Sequence, residues 1–347
     1  MTDHPLSSLL DSVPMGMVVI GMDGRVELAN DRARDIFGSG MRGRHYITVL
    51  RQPTLLDTIE AVAKDEKDRT TRYLGRKDGR DTTYQVSCSA ITWPNNQRGI
   101  SVTFDDITEI ETAGQMRRDF VANVSHELRT PLTAMSGFIE TLRGAAKDDP
   151  KARDRFLGIM EREAGRMNRL VDDLLSLSRV EAQERQRPTT TIDARALAES
   201  CLGTLEPKAA ELSVQLKLDQ IGTNFDVLAD ADQLRQVLNN LIENAIKYGR
   251  PDSTVTVAVA EVSNEPSIRG TGVRIDVTDQ GEGISDLHLA RLTERFYRID
   301  NHRSREMGGT GLGLAIVKHI INRHRGRLRI SSKTGEGSVF SVILPRD

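Results

Sequence analysis

The sequence predicts a multidomain α+β protein built from three successive parts. In roughly the first 105 residues, short strand-like segments alternate with turn-forming dipeptides. Two long amphipathic helical patterns follow, joined by a short polar turn. Beyond about residue 190, strand and helix patterns alternate and glycine-rich segments interrupt them. A chain of 347 residues is long enough for these parts to bury separate cores.

The composition excludes several classes of protein. Lys and Arg total 48 against 50 Asp and Glu, so a general nucleic-acid-binding surface is not expected. Cys88 and Cys201 lack CxxC spacing, which favours buried reduced thiols over a disulfide framework or a zinc site. No run approaches the roughly 18 apolar residues that cross a bilayer, and no signal peptide is apparent. We therefore expect no membrane span and a cytoplasmic protein, with peripheral association to a membrane partner left open.

The N-terminal part, residues 1–106, has the pattern of a small antiparallel sheet. Two strands flank Asp23-Gly24, a strong hairpin signal, and a helical piece begins at Asp31. Turn formers at residues 78–79 and 94–96 separate the later segments. Those later strands are expected at residues 69–75, 82–91 and 99–105.

This order of segments, which closes in the text VTFDDITE, resembles a PAS sensor domain, a small antiparallel sheet with helices on one side. No ligand can be read from it. His45 could be a haem ligand, and Tyr46 or Trp93 could offer a stacking surface. Lone residues of these types are more often ordinary core or surface positions, which is the interpretation we prefer.

The next segment, FVANVSHELRTPL at residues 120–132, sets one histidine apart as a chemical target. Its apolar residues recur at steps of three or four, as in an amphipathic helix with a packed seam. His126 projects away from that seam, Thr130 shares its face, and Glu127 stands beside the ring. Pro131 should bend the helix just past the histidine. The seam consists of Phe120, Val124, Leu128, Leu132, Met135, Ile139 and Leu142.

The octet SHELRTPL closely resembles the H box of sensor histidine kinases of the HisKA type. That resemblance implies that His126 accepts a phosphoryl group from ATP and that Glu127 holds the ring and takes up its proton. It also implies that Thr130, which completes an HExxT pattern, places a water for dephosphorylation of a response regulator. Without the resemblance, His126 would be interpreted as an ordinary surface histidine.

The predicted domain at residues 119–186 consists of two helices, and the histidine lies on the first of them. A helical linker at residues 107–118 joins this domain to the sensor part. A turn at residues 147–150 ends the first helix. A lone hairpin cannot cover its own apolar faces, so we expect two hairpins to form a four-helix bundle in a homodimer. Packing of the hairpin on its own C-terminal domain is the alternative. The second seam is Phe156, Met160, Glu163, Met167, Leu170, Leu174 and Leu177.

The C-terminal part, residues 191–347, supplies nucleotide chemistry. Its first signal is the amphipathic helix QVLNNLIENAIKYG, residues 236–249. Asn240 and Asn244 share one face, where amide oxygens suit Mg²⁺ and Lys247 can meet phosphate. This segment resembles the N box of the sensor histidine kinases, and that resemblance implies that Asn244 binds the metal. Asn240, Lys247 and Tyr248 would line the nucleotide site. The apolar face is Val237, Leu238, Leu241, Ala245 and Ile246.

Two glycine segments follow the N box. In VRIDVTDQGEGIS, residues 273–285, a strand breaks at a carboxylate followed by glycines that let the backbone approach a ligand. This segment resembles the G1 box, with Asp279 reading the adenine amino group beside Gly281 and Gly283. In GGTGLGLAIVKHI, residues 308–320, a flexible loop opens a helix and so forms an anion site. It resembles the G2 box, whose nucleotide-binding positions here are Gly309, Thr310, Gly311, Leu312, Gly313 and Leu314.

Between them, residues 296–298 resemble the F box, where Arg298 is expected to contact phosphate, and residues 301–307 would form a mobile lid over ATP. The alternative is that Arg298, Arg303 and Arg305 are solvated surface charges. Strands are expected at residues 212–218, 254–262 and 273–277, and two more lie within residues 327–345 around a glycine turn at residues 334–337. This part therefore resembles the Bergerat α/β sandwich of gyrase, Hsp90, MutL and histidine kinases.

Three functions share such a fold: a signalling kinase, a Bergerat ATPase machine and a silent dimeric scaffold. An ATPase machine would need a transducer domain after residue 347, and a scaffold would show a damaged N, G1 or G2 box. The intact boxes and the upstream H box favour the kinase. The resemblance implies ATP and Mg²⁺ as cofactors and a response-regulator aspartate as phosphoryl acceptor, with wording most like the phosphate-regulon sensor kinases.

Overall fold

The computed structural model describes residues 9–77, 79–93, 97–184, 186–268, 270–299 and 309–346, without the side chains of Trp93 and Asn264. The chain forms two compact units, Met1–Ala122 and Asn123–Asp347. The boundary between them falls inside a long helix. The turns expected at Asp78 and at residues 94–96, the Trp93 side chain, Arg303, Arg305, Gly308 and the lid at residues 301–307 lie outside the described residues.

The first unit is a five-stranded antiparallel sheet with the strand order β2-β1-β5-β4-β3. The predicted hairpin is confirmed, because β1 and β2 pair and Gly24 takes φ +76° in the turn between them. The strands are β1 Gly16–Gly21, β2 Val26–Ala29, β3 Arg69–Lys77, β4 Arg80–Trp93 and β5 Gln97–Asp106. The helices are α1 Asp31–Phe37, α2 Tyr46–Leu50 and α3 Pro53–Asp65.

Side chains from the sheet and from these helices fill the core of the first unit. Leu55, Ile59 and Val62 lie on one face of α3 and are fully buried. Tyr46 belongs to this core, where His45 stacks on its ring at a centroid distance of 5.0 Å. Cys88 is also buried, and burial raises the pKa of its thiol to about 12. Tyr46 and Cys88 are therefore packing residues.

Two long helices form the hairpin that follows, α4 Thr108–Arg143 and α5 Pro150–Ala182. Asp149 caps α5 by accepting hydrogen bonds from the N–H groups of Lys151 and Ala152, both at 3.0 Å. The stacked rings of Phe138 and Phe156, 5.3 Å apart, join the two helices. Among the described helices, none is both long enough and apolar enough to cross a membrane.

The second unit adds a five-stranded mixed sheet with the order β11-β12-β10-β9-β7, in which only β7 and β9 pair in parallel. Strands β6 and β8 form a separate short antiparallel pair. The strands are β6 Thr191–Asp193, β7 Gln215–Ile221, β8 Asp226–Leu228, β9 Thr254–Glu265, β10 Gly270–Asp279, β11 Arg327–Lys333 and β12 Gly337–Pro345. The helices are α6 Ala194–Glu211, α7 Ala231–Tyr248, α8 Asp286–Leu289 and α9 Gly313–Arg323.

Helices cover this sheet with the apolar faces that the sequence predicts. Every residue of the expected face of α7, including Leu241 and Ile246, is buried. The strand expected at residues 212–218 begins three residues later, at Gln215. The reason is that Leu212 caps α6 and Ser213 takes φ +54°, a turn conformation that no strand residue adopts. The mixed helix-and-sheet architecture predicted from the sequence is confirmed.

Candidate functional site

The α7 helix presents a polar face beside its buried one. Asn240, Asn244 and Lys247 are half-buried along that face, and Tyr248 ends the helix 39 % exposed. The Nδ2 atom of Asn240 is buried without a hydrogen-bond partner among the described residues. A buried donor without a partner is costly, so it fits a polar ligand that would complete it.

A buried histidine helps to hold α7 in place. His324, at the end of α9, is fully buried and accepts a hydrogen bond from the N–H of Asp230, the cap of α7, at 3.0 Å. Its Nδ1 lies 2.7 Å from the Ile320 carbonyl and must therefore carry the ring proton. Burial lowers the pKa of His324 and favours this neutral tautomer. Since both ring nitrogens take part in hydrogen bonds within the protein, we assign His324 a structural role.

Lys247 stands in a positively charged environment. Burial and repulsion from Lys208, Arg169 and Arg298 lower the pKa of Lys247 to about 8. Its Nζ atom lies 5.4 Å from the Tyr248 ring centroid. Because these cations repel one another, the cluster favours an anion that carries several negative charges.

The end of β10 brings a carboxylate close to the end of α7. Asp279 is 6 % exposed, and its Oδ1 accepts a hydrogen bond from the Gly281 N–H at 2.8 Å. Burial raises the pKa of Asp279, and hydrogen bonds from Gly281 and Ser338 oppose that shift. A side chain at Gly281 would collide with the Tyr248 carbonyl, so the glycine permits this close approach. Gly283 takes φ +71° in the same turn.

The glycine loop before α9 lies against this polar face. Gly311 takes φ +75°, and its carbonyl accepts a hydrogen bond from the Phe296 N–H at 2.8 Å. A Cβ atom at Gly313 would stand 3.2 Å from Asn240 Oδ1, so the first residue of α9 abuts the α7 face. The loop and the start of α9 thereby place backbone N–H groups next to Asn240, a suitable arrangement for phosphate. Gly309, Thr310, Leu312 and Leu314 belong to the same loop and helix start.

Magnesium fits this face only together with phosphate. Within the described ranges, no group of three or more His, Cys, Asp or Glu side chains could hold a metal ion. The Asn244 amide oxygen is a suitable single ligand, since Mg²⁺ commonly takes few protein ligands and completes its shell with phosphate oxygens and waters.

A contact between residues far apart in sequence joins the histidine helix of the hairpin to this site. His126 and Thr130 are exposed on α4, and the Thr130 hydroxyl donates to the His126 carbonyl at 3.1 Å. The Glu127 carboxylate is nearly buried, and its Oε2 pairs with Arg166 at 2.6 Å and with Arg298 at 3.3 Å. Arg298 also lies beside Gly311. One carboxylate therefore links the histidine helix, α5 and the glycine loop.

Further polar contacts join α5 to the same loop and to α7. The Thr310 hydroxyl donates to Asp173 Oδ2 at 2.6 Å, and the Ser176 hydroxyl donates to Gln236 Oε1 at 2.9 Å. Burial raises the pKa of Asp173, while the bond from Thr310 lowers it. Arg295 forms an ion pair with Glu181, near the C-terminal end of α5. Sequence reasoning did not single out these α5 residues, although polar residues at helical spacing beside an apolar seam were a signal for them.

Three protein-family models match parts of this chain. Residues 229–347 match "Histidine kinase-, DNA gyrase B-, and HSP90-like ATPase". Residues 116–183 match "His Kinase A (phospho-acceptor) domain", and residues 6–71 match "PAS domain". The matched ranges overlap the three parts predicted from the sequence, whose limits remain predictions.

Two curated relatives are sensor kinases. The sensor protein kinase WalK of Staphylococcus aureus is 33 % identical over 346 residues, which cover 98 % of this chain and 80 % of that one. The phosphate regulon sensor protein PhoR of Pseudomonas aeruginosa is 41 % identical over 236 residues, which cover 68 % of this chain and 52 % of that one. The chain spans about half the length of several curated relatives that it matches.

A solved structure shares the fold. Histidine kinase ThkA, solved in complex with response regulator protein TrrA, aligns with a TM-score of 0.52 at 21 % identity. The alignment covers 98 % of this chain and 98 % of that chain.

Proposed function

The chain belongs to the family of two-component sensor histidine kinases, and from that membership we propose that it phosphorylates its own His126 from ATP. The phosphoryl group then passes to an aspartate of a response regulator. The observation that carries this proposal is the Glu127–Arg298 ion pair, because it links the residue next to His126 to the glycine loop. An ATPase machine or a scaffold has no need for such a link.

The residues divide the chemistry among them. Asp279 would accept a hydrogen bond from the adenine amino group, Asn244 would hold Mg²⁺, and Lys247 would neutralise phosphate. Neutral His126 attacks the γ-phosphorus, so that a P–N bond forms and the bond from phosphorus to the ADP oxygen breaks. The ring proton leaves toward Glu127 or solvent. Mg²⁺ held by Asn244 would neutralise charge on the transferred group.

The proposed assembly is a homodimer of hairpins. Several large apolar side chains of the hairpin are exposed in the single chain, for example Leu132 at 51 % and Leu175 at 52 %. Pairing two hairpins would cover them in a four-helix bundle. Further examples on the two helices are Ile139, Leu157 and Val171.

The direct test is incubation of the full chain with γ-labelled ATP and Mg²⁺. We expect label that is labile in acid and stable in alkali, as the P–N bond of phosphohistidine requires. Label that survives acid would contradict a histidine acceptor. A transfer profile against the response regulators of the host would then identify the partner. The PhoR similarity supports a phosphate-regulon regulator, and preference for a WalK-type regulator would reject that finer proposal.

Thr130→Ala should spare autophosphorylation and slow dephosphorylation of the regulator about tenfold, because the exposed hydroxyl beside His126 would position the attacking water. Thr133→Ala is the matched control, since the Thr133 hydroxyl makes the same kind of backbone contact, to the Arg129 carbonyl at 3.0 Å. The measurement is the rate of phosphate loss from a labelled regulator. An unchanged rate in Thr130→Ala would remove this role from Thr130.

Nucleotide affinity should fall as the pH rises above about 8. The folded-state pKa of Lys247 is lowered to about 8, so the lysine is charged at pH 7 and becomes neutral above pH 8. A neutral amine cannot pair with phosphate, so the dissociation constant for Mg-AMPPNP should rise roughly eightfold between pH 7.5 and 9. Lys247→Arg should flatten this profile, because arginine keeps its charge throughout. An equally steep profile in Lys247→Arg would assign the titration to another group.

A further inference from the structure

Arg169 lies on α5 between the two places where that helix meets the rest of the site. Arg166, three residues earlier, holds Glu127 beside His126. Asp173, four residues later, accepts the hydrogen bond from Thr310 of the glycine loop. Residues three and four apart share a helix face, and the rise of 1.5 Å per residue separates Arg169 from them by only about 4.5 and 6 Å along the axis.

The guanidinium group of Arg169 is available for a ligand. The side chain is exposed, and its one recorded hydrogen bond among the described residues runs from Nε to the carbonyl of Gly165 at 3.4 Å. Among the described residues it forms no direct ion pair, although the Asp173 carboxylate attracts it at longer range. Arg166 differs, because it pairs with Glu127 and with Glu163.

Charge connects Arg169 to the α7 side of the site. The positive charge of Arg169 helps to lower the pKa of Lys247, as do the charges of Lys208 and Arg298. Lys208 has Glu243 as partner at 2.9 Å, and Arg298 has Glu127. Arg169 and Lys247 are the members of this cluster that form no direct ion pair among the described residues, although Glu243 attracts Lys247 at longer range. A polyanion between α5 and α7 would relieve the repulsion.

We propose that Arg169, which the hairpin contributes, contacts the terminal phosphate of the nucleotide held by the same chain. The proposal rests on the proposed function, because it assumes that ATP is the ligand of this face. The transferred phosphoryl group must lie between the glycine loop and His126, and Arg169 occupies that interval along α5. A planar guanidinium that keeps its charge suits two phosphate oxygens at once.

Nucleotide titrations of the full chain with Mg²⁺ test this contact. Because ADP lacks the terminal phosphate, Arg169→Gln should weaken binding of the non-hydrolysable ATP analogue AMPPNP on the order of tenfold and that of ADP less than twofold. Arg153→Gln is the matched control. It removes the same charge from an exposed position of the same helix, about 160° around the axis, and should change neither affinity. Arg169→Lys should recover part of the loss.

The two nucleotides separate the outcomes. Equal weakening of AMPPNP and ADP, or no weakening of either, would overturn the assignment of Arg169. Labelling of the wild-type chain from γ-labelled ATP tests the kinase independently. A chain that cannot be labelled, yet loses its preference for AMPPNP in Arg169→Gln, would refute the proposed function and keep this contact. A chain that is labelled, but whose Arg169→Gln variant keeps the preference for AMPPNP, would support the proposed function and refute this contact.

Discussion

Replacing His126 by glutamine should abolish labelling of the chain by γ-labelled ATP. The amide nitrogen of glutamine has no free lone pair for attack on phosphorus, so we expect a loss of at least about a thousandfold, down to background. The ring is exposed on α4 and carries no packing role, so the melting temperature should stay within about 2 °C of the wild-type value. Affinity for Mg-AMPPNP should change less than twofold.

The control for this variant is His45→Gln, which makes the same chemical change within the first unit, where His45 stacks on Tyr46. It should keep the label. Label retained by His126→Gln at the wild-type rate would reject His126 as the acceptor, and loss of label from both variants would point to a general defect of the preparation.

Asn244→Asp should abolish nucleotide binding, and with it labelling. The side chain lies half-buried on α7, one turn before Lys247 and one turn after Asn240. A carboxylate at this place adds a negative charge against the triphosphate and removes the amide N–H group. We expect the dissociation constant for Mg-AMPPNP to rise at least about a hundredfold in calorimetric titrations.

Asn322→Asp provides the matched control, because it introduces the same carboxylate at an exposed position of α9. Its nucleotide affinity should equal that of the wild type. If Asn244→Asp bound AMPPNP normally while keeping its melting temperature, the N-box assignment of the metal ligand would be wrong.

Local patterns predicted the elements well where a single helix or strand decides its own face. The three- and four-residue spacing of Leu238, Leu241 and Ala245 predicted the buried side of α7, because the period of a helix depends on neighbouring residues alone. The start of β7 was misplaced. Its apolar pattern runs back to Leu212, but the positive φ of Ser213 comes from the way the chain leaves α6, which side-chain polarity does not report.

The polar face of the site was predictable for the same reason, up to a point. Asn240, Asn244 and Lys247 share a face by helix geometry, and the glycines at 281, 283 and 311 occupy tight turns or close approaches that a side chain would obstruct. Glu127 was expected to orient the His126 ring. The structure adds partners that the H box does not contain, namely Arg166 and Arg298.

The residue types of the site, its glycine turns and the helix faces that carry them are thus consequences of the sequence, because each depends on neighbours within about one turn of chain. Which charges meet was decided by the tertiary structure. Arg298 reaches Glu127 across 171 positions of sequence, and Thr310 reaches Asp173 across 137. Such contacts depend on how α5 packs against α9 and the glycine loop, and packing at that range leaves no period in the sequence. The position of Arg169 between the histidine and the loop follows from that packing alone.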